Sequence, residues 1–114
     1  MRTVLIVDDY PPFRESARAL LEGGDFDVVG EAEDGGAALR LTKELRPDVV
    51  LLDVHMPDLD GFEVARRLAQ LEPPPVVVLT SSRDDYALLV ADSAAHAFVR
   101  KDALSAETLQ VALS

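Results

Sequence analysis

Five short strand-like segments, each followed by a stretch with apolar residues at helical spacing, predict an α/β domain built on a parallel sheet covered by helices. Three observations carry this expectation. Val49-Val50-Leu51-Leu52 is apolar at four consecutive positions, as a strand buried on both faces requires. Glycine and proline punctuate the joints, at Gly23-Gly24, Gly35-Gly36, Pro47, Gly61 and Pro73-Pro74-Pro75. The length of 114 residues suits one domain, residues 1–114, with a single core. A boundary at the three prolines would leave two pieces too small to fold alone, so they read as a rigid loop.

The elements follow in order. Thr3 to Val7 forms the first strand, and from Pro12 the residues Phe13, Ala17, Leu20 and Leu21 mark a helix that Gly23-Gly24 stops. Phe26 to Ala32 is the second strand. Gly35-Gly36 opens a helix carrying Ala38, Leu39, Leu41 and Leu45, with Pro47 just past its end. The third strand runs from Val49 to Asp53, and Met56 to Gly61 is a loop in which Gly61 allows unusual backbone angles and Asp58 and Asp60 shape the turn. Phe62, Val64, Ala65 and Leu68 mark the third helix, and Val76 to Leu79 the fourth strand. Ser82 or Asp84 caps a helix expected over Asp85 to Ser93, His96 to Val99 is the fifth strand, and Ala106 to Leu113 a short last helix. Parallel connections of this length are right-handed, which places helices on both faces. The result is a flavodoxin-like, doubly wound (βα)5 domain with strand order 2-1-3-4-5.

Composition narrows the function. The absence of cysteine excludes disulfides, thiolate ligands and thiol redox chemistry. A formal charge of −10 opposes attraction to nucleic acid and suits cations or a basic protein surface. The apolar run Val4 to Val7 ends at Asp8-Asp9, too soon for a signal peptide, and no run has the length of a membrane span. A cytoplasmic location is the expectation.

The chemistry is expected where open α/β sheets place it, beyond the carboxyl ends of the strands. There strands one, three, four and five carry Asp8-Asp9, Asp53, Thr80-Ser81 and Lys101. Clustered carboxylates repel by roughly 4 kcal/mol per pair at about 4 Å and an effective dielectric near 20, so they need a cation or must take up protons. Magnesium, which prefers hard oxygen ligands, meets that need, and two adjacent acids plus a third at another strand end favour it over simple capping of the first helix. A carboxylate beside such an ion can attack phosphorus, while the metal and a lysine neutralise charge on the transferring oxygens. Thr80 then donates its hydroxyl to the phosphoryl group, and the product is an aspartyl phosphate on Asp53. The side chain of His55 is expected to face solvent, and His96 to be ordinary surface.

Asp8-Asp9, Asp53-x-x-Met56-Pro57-x-x-Asp60-Gly61, Leu79-Thr80-Ser81 and Phe98-x-x-Lys101 together resemble the pattern of response-regulator receiver domains, the CheY-like phosphoacceptor modules of two-component signalling. Val28-Val29-Gly30-Glu31-Ala32 and Lys101-Asp102 resemble the NarL type. The resemblance implies that Asp53 accepts phosphoryl from a sensor histidine kinase. It also implies that Asp8, Asp9, Asp53 and the backbone carbonyl of His55 hold Mg2+, and that Thr80 and Phe98 form a switch. Phe98 lacks the hydroxyl of the commoner tyrosine, so its movement must be driven by burial. The face made by the helix expected over 85–93, the fifth strand and the last helix would be read by a partner or a second protomer. Enzymatic activity is not expected beyond Mg-dependent self-phosphorylation and autodephosphorylation at Asp53. Related proteins carry a DNA-binding helix-turn-helix output domain, fused or separate; none is expected within these 114 residues, nor any direct contact with nucleic acid or membrane.

Three other classes fit the residues less well. A flavodoxin-type cofactor carrier needs a glycine- or hydroxyl-rich phosphate loop after strand one, where Asp8-Asp9-Tyr10-Pro11-Pro12 would repel phosphate. An aspartyl phosphatase resembles Asp-x-Asp, and His55 stands at the second acid's place. A receiver-like interaction domain working without phosphorylation keeps the fold but loses acids or lysine, all of which are present here.

Overall fold

In a computed structural model that describes residues 1–83, 90 and 93–114, five strands form one parallel sheet in the order β2-β1-β3-β4-β5. The strands are β1 (Arg2–Val7), β2 (Phe26–Ala32), β3 (Val49–Asp53), β4 (Val76–Ser81) and β5 (Ala97–Arg100). Among the described residues the helices are α1 (Pro11–Glu22), α2 (Gly35–Leu45), α3 (Gly61–Leu68) and α4 (Ala106–Ala112), with a 3-10 turn over Lys101–Ala103. The expected doubly wound arrangement and strand order are therefore observed.

The alternation of side chains along a strand sorts the apolar residues into two cores, one on each face. Val4, Ile6, Val49, Leu51 and Val78 meet Ala17 and Leu21 of α1 and Leu109 of α4. Leu5, Val7, Val50, Leu52, Val77 and Leu79 meet Ala38 of α2 and Val64, Ala65 and Leu68 of α3. Every residue of β3 is buried, as its unbroken apolar run requires. Its position between β1 and β4 puts Asp53 in the middle of the sheet edge.

Five boundaries differ from expectation. α1 begins at Pro11. β1 begins at Arg2. β4 continues through Thr80 and Ser81 because its ladder persists on both sides, with Asp53 opposite Thr80 on β3 and Val99 and Arg100 opposite Thr80 and Ser81 on β5. β5 starts at Ala97, while His96, which is exposed, donates its N–H to the Val77 carbonyl at 2.7 Å just before the ladder. The last helix ends at Ala112. Short as it is, it is held by a capping box in which Ser105 accepts from the Thr108 N–H and the Thr108 hydroxyl accepts from the Ser105 N–H. The helix expected over 85–93 lies almost wholly outside the described residues. Among those described, no helix is long and apolar enough to cross a membrane.

Candidate functional site

Asp8 directly follows β1 and is completely buried. Its N–H donates to the Ala32 carbonyl at 3.0 Å, and its Oδ1 accepts from the Tyr10 N–H at 2.9 Å, so both its backbone and its carboxylate are fixed. The cap of α1 falls to Tyr10, with Pro11 and Pro12 following, and neither aspartate caps this helix. Asp9 is exposed at the mouth of the site. Asp53, the last residue of β3, is only 4% exposed, and its Oδ1 accepts from the His55 N–H at 3.3 Å. One oxygen from each of Asp8, Asp9 and Asp53 lies within 4.8 Å of the others.

Lys101 enters this cluster from the end of β5. Its Nζ lies 2.6 Å from Asp8 Oδ2 and 3.4 Å from Asp53 Oδ2, and it sits over the Phe13 ring at 4.8 Å from the centroid. A 3-10 turn begins at Lys101 and is closed by the Leu104 N–H donating to the Lys101 carbonyl. Thr80 is buried beside Asp53 in the ladder. Its hydroxyl has no hydrogen-bond partner among the described residues, an arrangement that is costly unless a further acceptor comes to it.

Three carboxylates thus face one ammonium, a formal excess of two negative charges. Burial and the charge of Asp8 push the Asp53 carboxyl above its ordinary range, and Lys101 and the His55 N–H only partly oppose this. For Lys101, burial disfavours the charge but Asp8 and Asp53 outweigh it, so its ammonium is held more firmly than usual. A shared lysine satisfies two acids incompletely. A divalent cation with a taste for hard oxygen fits both the donor set and the charge.

The loop after β3 is built by two aspartates with different tasks. Asp60 caps α3, accepting from the Glu63 N–H at 2.8 Å. Asp58 shapes the turn through the Leu59 N–H, as expected, but also reaches α2, where it accepts from the N–H groups of Gly35 at 2.8 Å and Gly36 at 2.9 Å. It thereby pins the loop carrying His55 to a neighbouring helix. These donors, Gly35 foremost, hold the Asp58 carboxyl below the usual range. Its folded pKa being lowered, the stabilisation is present above the unfolded value of about 4 and fades as pH falls through the folded one. Asp58→Ala is therefore expected to lower the denaturation midpoint at pH 7 and to narrow its gap from the unsubstituted protein under acid. Asp60→Ala should cost about 1 kcal/mol of stability in the same denaturation measurement.

Gly61 corrects an expectation. No glycine among the described residues has positive φ, so unusual backbone angles are not its reason. A Cβ at Gly61 would lie 2.5 Å from the Asp53 carbonyl oxygen and 2.8 Å from Val54 Cα, and its N–H donates to the Val54 carbonyl at 2.7 Å. Close approach of two backbones is what excludes a side chain.

Of the residues singled out from sequence, Asp8, Asp9, Asp53 and Lys101 converge, with Thr80 paired to Asp53 in the sheet. His55 has an exposed side chain and meets the cluster through its backbone N–H. Phe98 is half-buried, opposite Leu79 in the ladder and packed on the α2 and α3 side of the sheet. Sequence spacing does not disclose Phe13 under the ammonium, the hydrogen bond from Arg14 to the Asp8 carbonyl or the reach of Asp58. Their helical or turn spacing was visible, but their contacts lie between separate elements.

Residues 4–114 match the family model for the response regulator receiver domain. The transcriptional regulatory protein YdfI of Bacillus subtilis is 37% identical over 111 residues, covering 96% of this chain and 52% of YdfI. The "Probable transcriptional regulatory protein NarL" of Mycobacterium tuberculosis is 42% identical over 113 residues, with coverage of 96% and 52%. The chain thus spans about half the length of these curated relatives. Among solved structures, the signal receiver domain of the Mycobacterium tuberculosis NarL response regulator aligns with a TM-score of 0.86 and 41% identity, covering 98% of this chain and 93% of that one. The isolated receiver domain of RcsB from Salmonella enterica, solved with the phosphomimetic BeF3−, aligns with a TM-score of 0.83 and 27% identity, covering 98% and 85%. The chain belongs to the response regulator receiver domains of two-component systems, in the company of NarL-type members.

Proposed function

We propose that this domain is a phosphorylation-dependent switch in which Asp53 accepts a phosphoryl group from a sensor histidine kinase in a Mg2+-dependent reaction. The observation that carries the reading is the shared ammonium of Lys101 between Asp8 and Asp53, beside a buried Thr80 hydroxyl lacking a partner among the described residues. Asp8, Asp9, Asp53 and the backbone carbonyl of His55 would hold the ion. When bound, it supplies positive charge that offsets the carboxylates and the transferring oxygens.

An Asp53 carboxylate oxygen attacks phosphorus, an oxygen–phosphorus bond forms, and the bond from phosphorus to the donor's imidazole nitrogen breaks, leaving the electron pair on that nitrogen. Asp8 keeps Lys101 at the site. After transfer, Lys101 and Thr80 contact the new phosphoryl oxygens, which bring roughly two negative charges. Movement of Thr80 draws the following loop inward and lets Phe98 fill the vacated space, reshaping the face around β5 and α4. A second protomer, or an output domain fused or separate, reads that face. This places the protein in the cytoplasm with its kinase, its own chemistry limited to self-phosphorylation and autodephosphorylation at Asp53.

Incubation with Mg2+ and acetyl phosphate, followed by intact-mass measurement, is expected to show one phosphoryl adduct. No adduct, under conditions that modify a control receiver, points instead to an interaction domain that works without phosphorylation. Lys101→Ala separates chemistry from response. It should leave Mg2+ binding largely intact while weakening the spectral change on phosphorylation, and an unchanged phospho-dependent spectrum rejects the role given to Lys101.

A further inference from the structure

Next to the acidic cluster, the carbonyl of Asp8 receives a 2.6 Å hydrogen bond from Arg14 Nη1. The same guanidinium donates from Nε to Glu31 Oε1 at 3.1 Å, and its side chain is only 16% exposed. Glu31, on β2, is held in turn by Arg18 Nε at 2.8 Å, so the acceptor that orients Arg14 is itself fixed. The Asp8 carbonyl belongs to the peptide that joins the two acids. Whichever way that peptide faces decides where the exposed Asp9 carboxylate points, since Asp8 is already tied at its N–H and its Oδ1.

We propose that Arg14 is a positioning residue for the metal site. By anchoring the Asp8–Asp9 peptide to Glu31, it holds the two carboxylates in the arrangement that binds a divalent cation. A planar guanidinium with donors at both edges can join a carbonyl to a carboxylate in fixed geometry, which an ammonium cannot do. This rests on the magnesium reading above.

The proposal makes a prediction opposite in sign to simple electrostatics. Removing a positive charge near a cation site should tighten Mg2+ binding. If Arg14 positions the acids, Arg14→Ala instead loosens it, roughly tenfold, as loss of a residue supporting metal ligands does. The measurement is a titration of the 114-residue protein with magnesium chloride, followed by amide chemical shifts, with thermal midpoints taken in the absence of metal. Arg14→Lys keeps the charge, and should be loosened by an intermediate amount even if Arg14→Ala folds poorly. Arg18→Ala removes a second partner of the same Glu31 without touching the Asp8 carbonyl, and should lower the thermal midpoint while loosening Mg2+ clearly less than Arg14→Ala does. Equal or tighter binding in both Arg14 variants overturns the proposal alone, as does an equal loss in Arg18→Ala. Absence of Mg2+ binding by the unsubstituted protein overturns the metal-site reading and this inference with it.

Discussion

Asp53→Asn is expected to abolish the phosphoryl adduct while leaving the domain folded and, without added metal, more resistant to denaturant than the unsubstituted protein. The two effects have separate causes. The amide is a poor nucleophile toward phosphorus, so the acceptor chemistry is lost outright. The fold gains because burial and the neighbouring Asp8 disfavour the charge at position 53, and Lys101 retains its closer partner, Asp8, at 2.6 Å. Intact mass after treatment with acetyl phosphate and Mg2+ tests the first effect. A full-strength adduct in the variant would move the acceptor to another residue. A denaturation midpoint below that of the unsubstituted protein would show that Lys101 needs both acids to keep its place.

Gly61→Ala should be among the most damaging substitutions of one methyl group in this protein. The added Cβ meets the Asp53 carbonyl oxygen at 2.5 Å, Val54 Cα at 2.8 Å and the Asp53 carbonyl carbon at 3.2 Å, and all three belong to backbone. No side chain can turn aside to make room. The strand end, the first turn of α3 or both must shift, and forced overpacking of this kind costs about 1–3 kcal/mol or more. Because the clash falls on the peptide of Asp53 itself, phosphorylation should slow as well. Gly36→Ala provides the contrast: the nearest atom to its Cβ is Asp58 Oδ2 at 3.5 Å, an ordinary contact, and alanine in a helix is preferred over glycine by about 1 kcal/mol. Denaturation curves and adduct formation measured on both variants would show a large loss in one and none in the other. Comparable losses in the two would mean that glycine at 61 serves chain flexibility instead of close approach.

The sheet and its order were legible because burial on both faces leaves little freedom of sequence. Val49 to Leu52 must be apolar throughout, and five strand-length segments separated by helix-length stretches admit few topologies. The strand ends followed from that topology, so the meeting of Asp8, Asp9, Asp53 and Lys101 could be expected from residues far apart in the chain. Turn chemistry was read less well. Asp58 and Asp60 look alike in sequence, yet Asp60 caps the helix that follows it and Asp58 accepts from the first N–H groups of a helix more than twenty residues earlier, whose own cap is Asp34. Gly61 was noticed for the right position and the wrong reason, since a tight approach and a left-handed backbone both call for glycine. The extension of β4 through Thr80 and Ser81 was also hidden, because polar residues interrupt the apolar run while the ladder of backbone hydrogen bonds continues.

From sequence alone came the parallel sheet, its order and the strand-end acids, since these depend on local periodicity and on where apolar runs stop. Tertiary structure decided which oxygen of which acid the ammonium meets, that its charge lies over the Phe13 ring, and that Arg14 donates to the Asp8 carbonyl. Such contacts join side chains from elements that only packing brings together. They are set at distances of 2.6 to 4.8 Å between groups remote in sequence, and no spacing along the chain encodes a distance across it.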